Sequence, residues 1–285
     1  MQYLDRKTRP PLLTAKTAIS ILKGHSDVSL DLGLSRTEVK IEDKGAVLTD
    51  GSIIVFEDLK KIAERRDTVF FPEEGSIRQV ALWDGHYYKL VPTKGAPTLE
   101  IDGIRMHRTK GTTPDVDAAA KVQTLNVAGC RVLDTCFGLG YTALYAFRGG
   151  ASLVVSIEVR PEVMRIAELN PWSGGLFQDD GIHLLIGDSF TMIDVFPEGF
   201  FDCVVHDPPR IARAGRLYSG DFYFKMYRVL GEGGRLFHYT GEPGSRRRRV
   251  DLRRGVMGRL RQAGFSELVY DEALRGVRGE RGRSL

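Results

Sequence analysis

The chain holds only three cysteines in 285 residues, Cys130, Cys136 and Cys203. All lie in or beside apolar runs, and none belongs to a CxxC or Cys/His pattern. That spacing argues against a disulfide framework and a zinc site, and the three read as reduced, buried thiols. No run of 18 apolar residues occurs, so no membrane-spanning helix is expected. The opening "MQYLDRKTRPPLLTAK" lacks the apolar core of a secretory signal, which points to the cytoplasm. No internal repeat or low-complexity linker stands out. With 42% hydrophobic and 27% charged residues, the composition suits one large or two modest soluble domains.

The net charge of +4 hides an uneven distribution. Residues 1–115 carry 18 Lys and Arg against 17 Asp and Glu. Residues 116–208 carry 5 against 12, and residues 209–285 carry 18 against 8. An acidic middle beside a basic tail implies different partners for different parts, with the tail suited to a polyanion.

Up to about residue 111 the chain reads as short strands, 37–42, 46–50, 52–56, 76–83, 86–91 and 98–107, separated by turns. Helices are expected at 12–24 and 56–66. From 112 the pattern changes. Thr113 and Pro114 start a helix over 112–125. Apolar strands then alternate with helices of about ten residues, down to "SELVY" at 266–270. This predicts a β-rich domain over 1–111 and an α/β domain over 112–285, doubly wound on a mostly parallel sheet. Ligands of such sheets bind at the carboxyl ends of the strands.

The candidate chemistry falls at those ends. In "VLDTCFGLGYTA", Gly138 and Gly140 occupy the first strand-to-helix turn, where a backbone can approach a ligand. Ala143 stands where a third glycine would be, and alone the pair would equally serve a bare tight turn. Glu158 ends the second strand 20 residues after Gly138, a distance suited to ribose hydroxyls. Asp134 precedes the glycines and suits an ammonium rather than a pyrophosphate. Asp188 ends the third strand and suits an adenine amino group. With Asp207, four acids rim one edge, which repels a pyrophosphate cofactor and welcomes a sulfonium.

Over residues 131–240 the order and spacing of "LDTCFGLG", "SIEV", "IGDS" and "HDPPR" resemble a class I, Rossmann-like, S-adenosylmethionine (SAM)-dependent methyltransferase. "ELNPWS", "DPPR" and "LYSGDFYFKMYRVL" resemble an archaeal group of such enzymes. The resemblance implies SAM as cofactor. It assigns cofactor binding to Asp134, Phe137, Gly138, Gly140, Tyr141, Glu158, Val159, Asp188 and Ser189. Methyltransferases of exocyclic base amines carry Asp, Asn or Ser, then Pro-Pro, then an aromatic residue. By that resemblance Asp207, Pro208 and Pro209 are catalytic. Asp207 and the Pro208 carbonyl would accept the two amine N–H groups and turn the lone pair toward the methyl group. Arg210 replaces the aromatic residue, so stacking falls to Arg210 itself or to Tyr218, Phe222 or Tyr223.

His206 reads more readily as a structural histidine than as a base, and mid-strand Cys203 as core. "GSRRRRVDLRR", with Arg246, Arg247, Arg248 and Arg249, offers a phosphate-binding patch. The expected activity is methylation of a base amine in structured RNA, cytidine N4 of ribosomal RNA foremost, with guanosine N2 and adenosine N6 as rivals. The β-rich domain would position the RNA. The alternatives are aminopropyl transfer to a polyamine and a non-catalytic RNA-binding module.

Overall fold

The computed structural model describes residues 9–177, 179–241 and 252–282. The chain forms two compact units. One takes the residues up to Asp115 together with Glu162–Gly174; the other takes Val116–Pro161 and the chain from Gly175 onward.

The first unit is β-rich. Ile104–Arg105, Thr98–Ile101, Tyr87–Val91 and Ala81–Trp83 pair in that order as an antiparallel sheet. Lys40–Glu42, Gly45–Val47 and Ile53–Val55 form a second. Helices Ala15–Leu22 and Phe56–Ala63 bury Ala18, Ile21, Leu59 and Ile62 against Leu13, Ile54 and Phe70. Thr14 caps the first helix, its hydroxyl accepting the Thr17 N–H at 3.3 Å. The stretches 37–42 and 76–83 each break in two. At the breaks Val39 and Val80 are buried, and their amides donate to Ser26 and Val69 rather than to the expected ladder. Phe70–Glu73 pairs with Ser76–Gln79, a strand masked in the sequence by Pro72.

The second unit is built on seven strands: β1 (Arg131–Asp134), β2 (Leu153–Glu158), β3 (Ile182–Ile186), β4 (Phe201–His206), β5 (Leu230–Tyr239), β6 (Phe265–Asp271) and β7 (Gly276–Arg281). Their order in the sheet is β3-β2-β1-β4-β5-β7-β6. Strands β1 to β5 run parallel, and β7 lies antiparallel between β5 and β6. The helices from here on are α1 (Pro114–Gln123), α2 (Tyr141–Arg148), α3 (Pro161–Leu169), α4 (Ser189–Met192), α5 (Gly220–Val229) and α6 (Leu252–Gln262), of which α3 from Glu162 onward belongs to the first unit. The fold is therefore α/β on a mostly parallel sheet, with a β-rich N-terminal region. Its core joins Leu133, Val155, Val204 and Leu236 of the strands to Phe222, Tyr223 and Met226 of α5 and Val256 of α6.

Two features differ from the sequence pattern. "GEGG", which reads as a helix stop, lies within β5. Leu230 pairs with Phe201 and Arg235 with Cys203, so residues 231–234 bulge out of the ladder. Strand β7, "GVRGER", has no apolar alternation to announce it. Its first residue must be small, since a Cβ on Gly276 would lie 2.5 Å from the Phe237 ring and 2.9 Å from the His238 carbonyl.

Candidate active site

Strands β1 and β4 are neighbours, and the chain leaves them in opposite directions across the sheet, β1 toward β2 and β4 toward β5. Such a switch point opens a crevice at the carboxyl edge. Asp134 ends β1 and Asp207 follows β4, one on each side of it. Glu158 ends β2, and Asp188 stands two residues beyond β3.

The glycine turn is held by its own backbone. Gly138 and Gly140 take φ of 59° and 75°. The Gly140 N–H donates to Phe137 at 2.7 Å, and the Phe137 N–H donates to Ile157 of β2 at 2.9 Å. A Cβ on Gly140 would come within 2.2 Å of Leu176 and 2.5 Å of the Phe137 ring. Phe137 and Tyr141 are buried, whereas Val159 is exposed.

Glu158 is pinned at both oxygens. The Gly138 N–H donates to Oε2 and the Arg160 N–H to Oε1, each at 3.0 Å. Burial pushes its carboxyl up to about 7 despite those bonds. Asp134 is fully buried and accepts from the Ser156 hydroxyl at 2.6 Å. Its Oδ1 has no partner of hydrogen-bond geometry among the described residues. Burial is again the largest influence and raises this carboxyl to about 6, opposed by Ser156 and by the nearby Thr142 hydroxyl. Asp188 caps α4, accepting the Phe190 N–H at 2.9 Å. Its Oδ2 lies 3.3 Å from Arg216, whose guanidinium stacks 4.0 Å over the Phe190 ring. Ser189 is buried and donates its hydroxyl to the Thr135 carbonyl.

The "HDPPR" stretch is anchored on several sides. His206 is fully buried; its Nε2–H donates to the Leu217 carbonyl at 2.9 Å, so its Nδ1 accepts from the Thr135 hydroxyl at 2.7 Å. Burial lowers this imidazole to about 3, which makes it a neutral structural link rather than a base. The Tyr218 hydroxyl donates to the Pro209 carbonyl at 3.1 Å. Tyr218, Phe222 and Tyr223 are all buried, a placement that offers a substrate base no exposed ring face and corrects the stacking expected of them. Pro209 and Arg210 are exposed. Cys203 is fully buried, its thiol toward the Leu125 carbonyl at 3.7 Å. Arg246, Arg247, Arg248 and Arg249 lie outside the described residues.

Sequence reasoning missed Lys121. This α1 side chain is 4% exposed, and its Nζ lies 2.6 Å from Asp207 Oδ2 and 2.8 Å from Asp117 Oδ2. It also sits 4.1 Å over the Tyr239 ring at the end of β5. The Asp117–Lys121 spacing of one helical turn is visible in the sequence, but nothing local points to a partner 86 residues away.

No family model matches the chain. An uncharacterized protein of Methanocaldococcus jannaschii is 45% identical over 273 residues, covering 93% of each chain. The chain belongs to the family of that protein. The ribosomal RNA large subunit methyltransferase I of Photobacterium profundum is 28% identical over 63% of the chain, which spans only 47% of that enzyme. Polyamine aminopropyltransferase 2 of Streptomyces coelicolor is 31% identical over 49% of the chain and 26% of its own length. Among solved structures, spermidine synthase in complex with the transition state analogue AdoDATO superposes with a TM-score of 0.58 at 16% identity, covering 72% of this chain and 73% of that one. The Thermotoga maritima spermidine synthase gives 0.56 at 16% identity, covering 72% of each. The likeness to these structures is one of fold, a Rossmann-like α/β sheet.

Proposed function

We propose that the chain is a SAM-dependent methyltransferase acting on an exocyclic amino nitrogen of a nucleobase in structured RNA, with cytidine N4 of ribosomal RNA as the leading target. The observation that carries this reading is Asp207. It stands at the switch point, ahead of two prolines, on the same edge as three further acids.

The residues fit the cofactor. The unpartnered oxygen of buried Asp134 suits an ammonium, and Glu158, already oriented by two amides, suits a ribose diol. Asp188 would take the adenine amino group, with Phe137, Tyr141, Val159 and Ser189 around it. Bound there, SAM supplies an electrophilic methyl group on a sulfonium.

The chain's own task is to prepare the acceptor. An aryl amine is a weak nucleophile because its lone pair is delocalised into the ring. Asp207 accepts one N–H and the Pro208 carbonyl the other, which favours a pyramidal nitrogen with its lone pair directed for in-line transfer. Pro208 brings no N–H to compete, and the Tyr218 bond to Pro209 stiffens the loop. The proton that nitrogen sheds on methylation leaves by way of the Asp207 carboxylate.

Support for RNA comes from α6 and from the relative named for large-subunit ribosomal RNA. Arg253, Arg254 and Arg261 line, with Met257, a cavity of about 450 Å³. Two of these cations occupy the first turn of α6, where the helix dipole disfavours them by about 0.3–1 kcal/mol. A phosphate backbone would offset that cost. To the β-rich N-terminal region we assign the positioning of RNA by shape.

Aminopropyl transfer to a polyamine is the second reading, favoured by the shared fold with spermidine synthases. Mass spectrometry of nucleosides from ribosomal and transfer RNA, with and without the gene, separates the two. Loss of one methylated nucleoside supports methylation. Unchanged nucleosides, with tighter calorimetric binding of decarboxylated SAM than of SAM, would overturn it. Asp207→Asn is expected to lower kcat on the order of a hundredfold, with SAM affinity within about twofold of wild type.

A further inference from the structure

We propose that Lys121 is the positioning residue for Asp207, holding one of its carboxylate oxygens from behind so that the group meets a substrate amine ionised and in one orientation. This rests on the methyltransferase reading above. Three observations carry it.

The first is burial. A lysine ammonium removed from water costs several kcal/mol unless well paired, and the pairing here is two carboxylates at 2.6 Å and 2.8 Å plus an aromatic face. Burial alone would lower this lysine, yet Asp207 and Asp117 together carry it above the ordinary value, so it remains a cation. The second is the difference in exposure across the pair. The Lys121 side chain is 4% exposed and that of Asp207 is 22%. A substrate therefore reaches Asp207 and not the ammonium. The third is redundancy. Asp117, one turn away on α1, already gives Lys121 a counter-ion. Reaching across to the loop after β4 adds a second carboxylate to the buried ammonium and ties that loop to α1.

Charged and titratable groups among the described residues reach the surroundings of Asp207 from several elements. Lys121 faces it from α1, Asp134 from the end of β1, Cys136 from the glycine turn and Tyr218 from the segment before α5, while Asp117 of α1 and the Tyr239 ring of β5 lie against Lys121. Lys121 is the cation in direct contact, with Nζ 2.6 Å from Asp207 Oδ2. Removing it takes away a positive charge 2.6 Å from Asp207 and leaves the carboxylates of Asp117 and Asp134 in place, which favours the protonated form of Asp207.

The test uses the full chain. The ¹³C carboxyl signal of Asp207, identified by its disappearance in Asp207→Asn, is titrated in wild type, Lys121→Met and Asp117→Asn. The midpoint is expected to rise by one pH unit or more in Lys121→Met. It should move the other way in Asp117→Asn, where Lys121 serves Asp207 alone. Methyl transfer by Lys121→Met should fall at least thirtyfold in kcat, with its acid limb displaced upward and SAM affinity within threefold. Lys121→Arg should recover part of the rate. Should Lys121→Met fail to fold, the opposite shift in Asp117→Asn carries the test. An Asp207 midpoint that stays within half a unit in the variants that fold overturns the proposal, as does a Lys121→Met rate within threefold of wild type. A shifted midpoint in a protein that methylates no RNA would uphold the contact and overturn the assigned activity instead.

Discussion

Two carboxylates at the sheet edge titrate near neutrality, and their signs are the same. Burial raises Glu158 to about 7 and Asp134 to about 6, both above their unfolded values. The folded chain therefore holds these protons more tightly than the unfolded chain. The stability they contribute is complete below about pH 4 and is lost as pH rises through 6 and 7. The ligand-free melting temperature should decline between pH 5 and 8, and Glu158→Gln should flatten part of that decline. In the proposed site cofactor binding would run the other way, since the ionised forms would accept the ribose hydroxyls and pair with an ammonium. Calorimetry should find SAM affinity tightening on the order of tenfold from pH 5.5 to 7.5. In Glu158→Gln the affinity should be weaker overall and less dependent on pH.

At the scale of the element, the turn between β1 and α2 tolerates little change. Gly140 caps α2 in the left-handed region, and its missing side chain is the space occupied by Leu176 and Phe137. An alanine there meets both a backbone penalty and a clash with two buried side chains. Gly140→Ala is expected to destabilise the protein by roughly 2–4 kcal/mol in denaturant unfolding. The link from Thr135 through His206 to Leu217 plays a comparable part on the other side of the crevice. It joins the ends of β1 and β4 to the segment that leads into α5, and it does so with a neutral imidazole of defined tautomer.

Charge is the property that belongs to the whole molecule. An acidic stretch carries the four acids of the sheet edge, and a basic tail follows it in the chain. If the tail meets phosphates, RNA affinity should fall steeply with salt, by a decade or more between about 50 and 200 mM for several contacts. Arg261→Ala should weaken binding across RNA sequences and reduce the slope of log affinity against log salt by about one. A slope unchanged in this variant would remove α6 from the interface.

Much of this was legible in the residues. The alternation of apolar strands with short helices specified a parallel sheet because both of its faces must be covered, and the acids expected at strand ends do gather along one edge of it. Those signals are local, and periodicity carries them. The departures all depend on residues distant in sequence. Strand β7 has few apolar residues and exists because β5 and β6 leave a slot that only a glycine-rich strand can enter. The rings of Tyr218, Phe222 and Tyr223 are aromatic residues on a helical pattern in the sequence, and packing against β4 and β5 turned them inward. Lys121 reads as an ordinary helix cation with an acid one turn before it. Only the folding of α1 beside the end of β4 makes it the buried partner of Asp207, because ion pairing in a low-dielectric interior depends on proximity in space and not on spacing along the chain.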